Sequence, residues 1–313
     1  MRENLYMALD PFSDLLRYMQ AQTVLSGGLV AGGAWAIGIP PPQRLKFWGL
    51  VRGSCWLALE GEQEPIRLQA GEVFLLAAPR SLVIGSDLAA PHVGLDDLLR
   101  ERVGAVSFLG DGDEFYMIGG SVELGADCGQ LLLEGLPSFI HVGAEAEQSS
   151  TLHWLLQQLL RERERGLPGA DIASAQLAQL MFIEVLRAHF GSGMPLAAGW
   201  LRAVSDRRLA PALQLIHSHP GRAWQLEELA QASAMSRAAF AAYFKNVAGI
   251  APVAYLTMWR MRLAEKALRE QGASIGELAR TLGYSSESAF SNAFKRVIGR
   301  APKFVRSTTT MPL

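Results

Sequence analysis

A chain of 313 residues, 50% hydrophobic and 19% charged, can bury sizeable cores and exceeds one ordinary domain, which excludes general disorder and favours two domains. Two cysteines exclude a disulfide framework, and the N-terminus, carrying Glu3 and Asp10, lacks the apolar run of a secretory signal, so the expected compartment is the cytoplasm. The net charge of −1 conceals an asymmetry: residues 206–313 carry 15 Lys and Arg against 7 Asp and Glu, while residues 1–205 carry 14 against 23. A basic half beside an acidic half implies a polyanionic partner for one domain only.

In chain order, the longest uncharged stretch runs from Arg17 to Arg44, but its glycines and Pro40-Pro41-Pro42 exclude a membrane-spanning helix. Residues 1–145 read as β-rich. Lys46–Leu59 is rich in aromatic and β-branched types and ends at Glu60-Gly61, and Pro65–Leu68 and Glu72–Leu76 suggest further short strands around Ala70-Gly71. Such strands fit a small sandwich or barrel. Trp35, Phe47, Trp48, Trp56 and Phe74 either line an effector pocket in it or form its core, because aromatics dominate any small core.

Little points to metal or covalent chemistry. The strand region 44–90 contains no histidine; His92, His141, His153 and His189 are scattered, and His217-Ser218-His219 has no third ligand at useful spacing. Cys55 alternates away from Arg52 and, like Cys128, is expected buried and inert rather than redox-active. No metal, cofactor or enzymatic activity is expected.

From Ala144 the pattern turns helical. Ser149–Arg165 carries Leu152, Leu155, Leu156, Leu159 and Leu160 as one stripe, Pro168-Gly169 breaks it, and Asp171–Phe190 continues with a second helix. The stripe needs a partner surface in this chain or another, so 146–200 reads as a helical linker or dimerisation segment. Trp200–Ala203 suggests a short helix at the boundary with 201–313.

The last segment repeats itself. Leu226-Glu227-Glu228-Leu229-Ala230 recurs 49 positions later as Ile275-Gly276-Glu277-Leu278-Ala279. Ser236, Phe240, Phe244, Lys245, Val247, Gly249, Ala251 and Pro252 recur 50 positions later, so one residue is inserted in a turn. Each copy predicts a helix, a tight turn, a second helix opened by Ser236 or Ser286 as N-cap, and a glycine at its end. Phe240 with Phe244, and Phe290 with Phe294, stand four apart and face a core. That leaves the opposite face of each second helix free for a DNA major groove. Pro252–Glu270 predicts one connecting helix of about 28 Å, close to the spacing of about 34 Å between successive grooves.

Within this segment, LEELAQASAMSRAAFAAYFKNVAGIAPVAYLTMWRMRLA and SIGELARTLGYSSESAFSNAFKRVIGRAPKFVR resemble the DNA-binding domain of the AraC/XylS family of bacterial transcription regulators. The segments DPFSDLLRYM, VLSGGL, KFWGLVRGSCWLALEG and LEGLPSFIHV resemble, less sharply, the cupin-like sensor domain of one branch of that family. The resemblance implies an α+β chain: a cupin-like barrel over 1–145, a helical segment over 146–200, and a double helix-turn-helix domain over 201–313. It implies a promoter-bound regulator, often a homodimer, controlled by a small effector and able to meet RNA polymerase, with activation or repression left open. The expected DNA-facing residues are Ser236, Arg237, Ala238, Ala241, Ala242 and Lys245 in the first copy. In the second they are Ser286, Glu287, Ser288, Ser291, Asn292, Lys295 and Arg296. Alanine offers only methyl contacts, whereas asparagine can bind adenine at two edges, so discrimination should rest on the second copy. The rival readings are a metal-free cupin-like enzyme and a DNA-binding protein without sequence preference.

Overall fold

The computed structural model describes residues 10–125, 132, 133, 135–194, 196–270 and 273–306. The chain divides into two units: residues 19–196 form one, and residues 1–18 with 197–313 form the other.

The first unit holds β1 (Gln22–Ala31), β2 (Ala36–Ile39), β3 (Leu45–Arg52), β4 (Ser54–Leu59), β5 (Ile66–Gln69), β6 (Val73–Leu76), β7 (Leu82–Gly85) and β8 (His92–Gly94). A short helix α2 (Leu95–Arg100) leads to β9 (Val106–Leu109), β10 (Phe115–Glu123) and β11 (Phe139–Val142). The strands form a six-stranded sheet in the order β11-β6-β3-β10-β1-β9 and a five-stranded sheet in the order β5-β4-β7-β2-β8. Pairing is antiparallel except for β1 with β9 and β2 with β8. The sheets face each other over one apolar core, to which each strand sends alternate residues: Trp48 and Leu50, Cys55 and Leu57, Phe74 and Leu76, Phe115 and Met117.

Two long helices, α3 (Ser149–Arg165) and α4 (Ala170–Gly191), belong to this unit. The leucine stripe of α3 is covered within the chain: Leu152, Leu155, Leu156 and Leu159 are buried, while Leu160 is half-buried. Leu156 lies against β3 at Gly49, where a Cβ would collide with its methyl groups. The stripe therefore finds its partner surface on the outer face of the six-stranded sheet, and the motive for a separate linker over 146–200 falls away.

The second unit is all-helical: α5 (Trp200–Ser205), α6 (Ala210–Ser218), α7 (Leu226–Ala232), α8 (Arg237–Ala248), α9 (Pro252–Glu270), α10 (Ile275–Thr281), α11 (Glu287–Ile298) and α12 (Pro302–Arg306). The N-terminal helix α1 (Pro11–Tyr18) packs here, although its sequence precedes the β-rich region. Leu15, Leu16 and Tyr18 are buried; the Tyr18 hydroxyl donates to the Arg262 carbonyl at 3.0 Å, and its ring meets Trp259 edge-on at 5.4 Å. Asp14 Oδ2 lies 3.4 Å from Nδ1 of buried His217, whose Nε2 is 3.0 Å from the Tyr255 hydroxyl. The division expected after residue 145 thus takes a different course, since a helix some 200 residues away in sequence completes the aromatic core of the second unit.

Candidate nucleic-acid interface

Both repeats fold as helix-turn-helix units, α7 with α8 and α10 with α11. The first turn spans 233–236 and the second 282–286, so the inserted residue of the second copy lies in the turn, at Ser285. Equivalent hydrogen bonds close both turns: Met235 N–H to the Ala230 carbonyl at 2.9 Å, and Tyr284 N–H to the Ala279 carbonyl at 2.8 Å. Ala230 and Ala279 are buried beneath them, and a larger side chain there would push the helices apart.

Each second helix is capped at both ends. Ser236 Oγ accepts from Ala239 N–H at 3.3 Å and Ser286 Oγ from Ala289 N–H at 3.1 Å. Gly249 (φ 74°) and Gly299 (φ 85°) end the helices in the left-handed conformation, each donating its N–H to the carbonyl of Lys245 or Lys295. Phe240, Phe244, Phe290 and Phe294 are completely buried and lock the inner faces. Helix α8 has a further brace: the Tyr243 hydroxyl donates to Asp206 Oδ2 at 2.7 Å, under the Arg208 guanidinium. Helix α9 joins the units as one 19-residue element. Its Glu265 is almost wholly buried, with Arg262 at 3.3 Å, Arg269 at 3.0 Å and Arg300 at 3.6 Å, which ties α9 to the end of α11.

The outward faces carry the residues singled out above. On α8, Ser236, Arg237, Ala238, Ala242 and Lys245 are exposed and Ala241 is half-buried. On α11, Ser286, Glu287, Ser288, Asn292, Lys295 and Arg296 are exposed and Ser291 is half-buried. Lys245, Lys295 and Arg296 stand in the last turn of their helices, where they also complement the helix dipole, whereas Arg237 opens α8. Sequence reading missed one feature. Arg237 Nη1 pairs with Glu227 of α7 at 3.0 Å, both side chains largely exposed. In the second copy these two places hold Glu287 and Gly276, and the Glu287 carboxylate lies over the glycine where a Cβ would clash. An exposed pair of this kind is worth about 0–1 kcal/mol, so Arg237 can leave it for a phosphate or a base at small cost.

In the β unit the five aromatics part company. Trp48 lines a cavity between the sheets and stacks on Phe74 at 5.0 Å. Phe74 is fully buried behind it, and Trp35 packs against Phe115 at 4.7 Å in the core. Phe47 alternates to the other face of β3. Trp56 points out of the five-stranded sheet, 38% exposed, with the Arg67 guanidinium over its ring at 5.8 Å. Four of the five therefore do not line the cavity, because strand alternation and core packing send them elsewhere. The cavity wall comes instead from aliphatic and glycine positions that carried no signal of their own. Cys55 is buried, and desolvation, with Glu72 adding to it, pushes its thiol up to about 12. Cys128 lies outside the described residues. His141 Nε2 on β11 meets Oε2 of Glu72, the residue before β6, at 2.9 Å, and among the described residues no three His, Cys, Asp or Glu side chains converge as a metal site.

A sandwich of cupin type followed by two helix-turn-helix units on one connecting helix defines a DNA-binding regulator with an attached sensor-like domain. Comparison with known proteins agrees. Residues 10–191 match the family model described as Cupin and residues 229–308 the one described as Helix-turn-helix domain. The chain is 37% identical over 304 residues to a putative AraC-like transcription regulator of Streptomyces lividans, covering 97% of this chain and 100% of that one. It is 39% identical over 295 residues to a second of that description from Streptomyces antibioticus, covering 94% and 97%. The HTH-type transcriptional regulator AlkR of Acinetobacter baylyi is 38% identical over 181 residues, covering 57% and 58%. The protein belongs to the AraC-like family of transcription regulators and binds DNA through its helix-turn-helix domain. No helix among the described residues is long and apolar enough to cross a membrane.

Proposed function

We propose that the protein recognises promoter DNA with α8 and α11 in two successive major grooves, as a cytoplasmic homodimer whose DNA affinity answers to a small effector held between the sheets of the β unit. The observation that carries this reading is the duplicated, doubly capped reading helix with its outer face unfilled and Lys245, or Lys295 and Arg296, at its C-terminal turn. The second copy supplies the hydrogen-bonding side chains, Ser288, Ser291 and Asn292, and the first supplies a smooth alanine surface that admits close approach. In this reading residues 19–196 are the sensor and residues 197–313 the reader, with RNA polymerase as the further partner at the promoter. Exposed Trp154 on α3 and Ile172 on α4 offer apolar surface for self-association. The protein turns over no substrate.

The test is binding-site selection with the full-length protein, followed by titration of the selected site against random DNA at several salt concentrations. A selected motif spanning two grooves, with affinity falling by about 0.9 log units per log salt for each phosphate contacted, is the expected result. Random DNA competing as well as the selected site rejects sequence recognition. Sedimentation of the same protein tests the dimer.

A further inference from the structure

The cavity beside Trp48 measures about 190 Å³. Its cause is a register coincidence. β1 and β10 pair Gly27 with Gly119 on the face turned toward the core, so neither strand sends a side chain inward there. A Cβ at Gly119 would meet the Trp48 indole at 2.8 Å. Much of the wall is aliphatic, with Ile37, Ile84, Leu98 and Met117, and Pro40-Pro41-Pro42 in the lining lack N–H groups. For scale, an enclosed apolar cavity of about 150 Å³ accepts benzene.

Two cations line this mostly apolar space, Lys46 and Arg102, with Ser26 and Ser107 as its other polar side chains. Lys46 stands two residues before Trp48 on the same face of β3 and is half-buried, its Nζ 3.4 Å from Ser26 Oγ. Desolvation, helped by Arg44, holds its ammonium below the usual lysine range. Among the described residues no carboxylate lies within ion-pair distance of Lys46 or Arg102. A half-buried charge without a counter-ion is costly, and an incoming anion removes that cost.

We propose that this cavity binds a small amphipathic monocarboxylate, with an apolar body of about eight heavy atoms in the void and its carboxylate on Lys46 and Arg102. The inference rests on the effector reading above and gives it a place and a ligand class. The mostly apolar wall disfavours sugars and polyols, because Ser26, Ser107 and the two cations offer too few partners for a ring of hydroxyls. The two cations disfavour amines.

Calorimetric titration of the full-length protein with octanoate, octan-1-ol and octylamine tests it. Octanoate should bind about tenfold or more tighter than octanol, the value of one charge-assisted hydrogen bond, and octylamine should give no heat. Lys46→Met keeps the aliphatic stem and should remove the preference for octanoate while leaving octanol unchanged; Arg102→Gln, on the surface, should reduce it. Equal affinity for octanoate and octanol, or a preference that survives Lys46→Met, overturns the assignment. DNA affinity measured on the same samples separates the two readings. Octanoate heat with unchanged DNA affinity upholds the site and removes the effector role. DNA affinity that responds to another compound, with no octanoate heat, keeps effector control and removes this site.

Discussion

Ala234 and Gly283 hold the same place in the two helix-turn-helix turns, and both are left-handed, with φ 52° and 76°. Only the second copy uses the residue suited to that conformation. It also needs glycine for space, since a Cβ at Gly283 would strike the Gly221 carbonyl. Ala234→Gly should therefore stabilise the protein by about 0.5–1 kcal/mol, and Gly283→Ala should destabilise it by more than that. Thermal unfolding of both variants checks the pair, and opposite signs are the expected result.

The exposed polar side chains of α11 lead to a second expectation. Asn292→Ala should cost about 1–3 kcal/mol on the best DNA site and relax preference at one base pair, an adenine by hydrogen-bond geometry. Lys295→Ala should weaken all sequences by similar factors and flatten the salt slope by about one unit. A selection matrix unchanged by Asn292→Ala would assign base reading elsewhere.

Arg237 is held by Glu227 in the free protein at 3.0 Å. Glu227→Gln frees the guanidinium and removes an anion next to the DNA-facing surface. Affinity for DNA should rise about two- to fivefold at low salt, the scale of one exposed ion pair, and the gain should fade as salt increases. Unfolding temperature should hardly move. An unaltered Kd would mean that Arg237 does not reach the DNA.

The Cys55 thiol, pushed up to about 12 by burial and Glu72, is protonated throughout the physiological range. In a Cys128→Ser protein at pH 8, iodoacetamide should leave native Cys55 unmodified and label it fully after denaturation, as mass spectrometry reads. Labelling of the native protein would reopen a redox role for this residue.

What the sequence alone determined is what short-range chemistry controls. The repeat, the Ser236 and Ser286 caps, the Gly249 and Gly299 ends and the phenylalanines four apart each act within one helical turn, so the double helix-turn-helix was legible residue by residue. The exposed reading faces followed from the buried ones. Tertiary structure decided whatever depended on distant partners. The leucine stripe of α3 looked equally ready for another chain until Gly49 of β3 supplied its seat. Trp48 and Trp56 are both strand aromatics, yet one faces the core and the other solvent, because register is set by pairing with β6, β7 and β10. The cavity arises where Gly27 meets Gly119 across strands more than 80 residues apart, and α1 finds its seat on His217 and Trp259 across some 200 residues. Nothing local marks such meetings, since the free energy that selects them is the burial of surfaces brought together only when the whole unit folds.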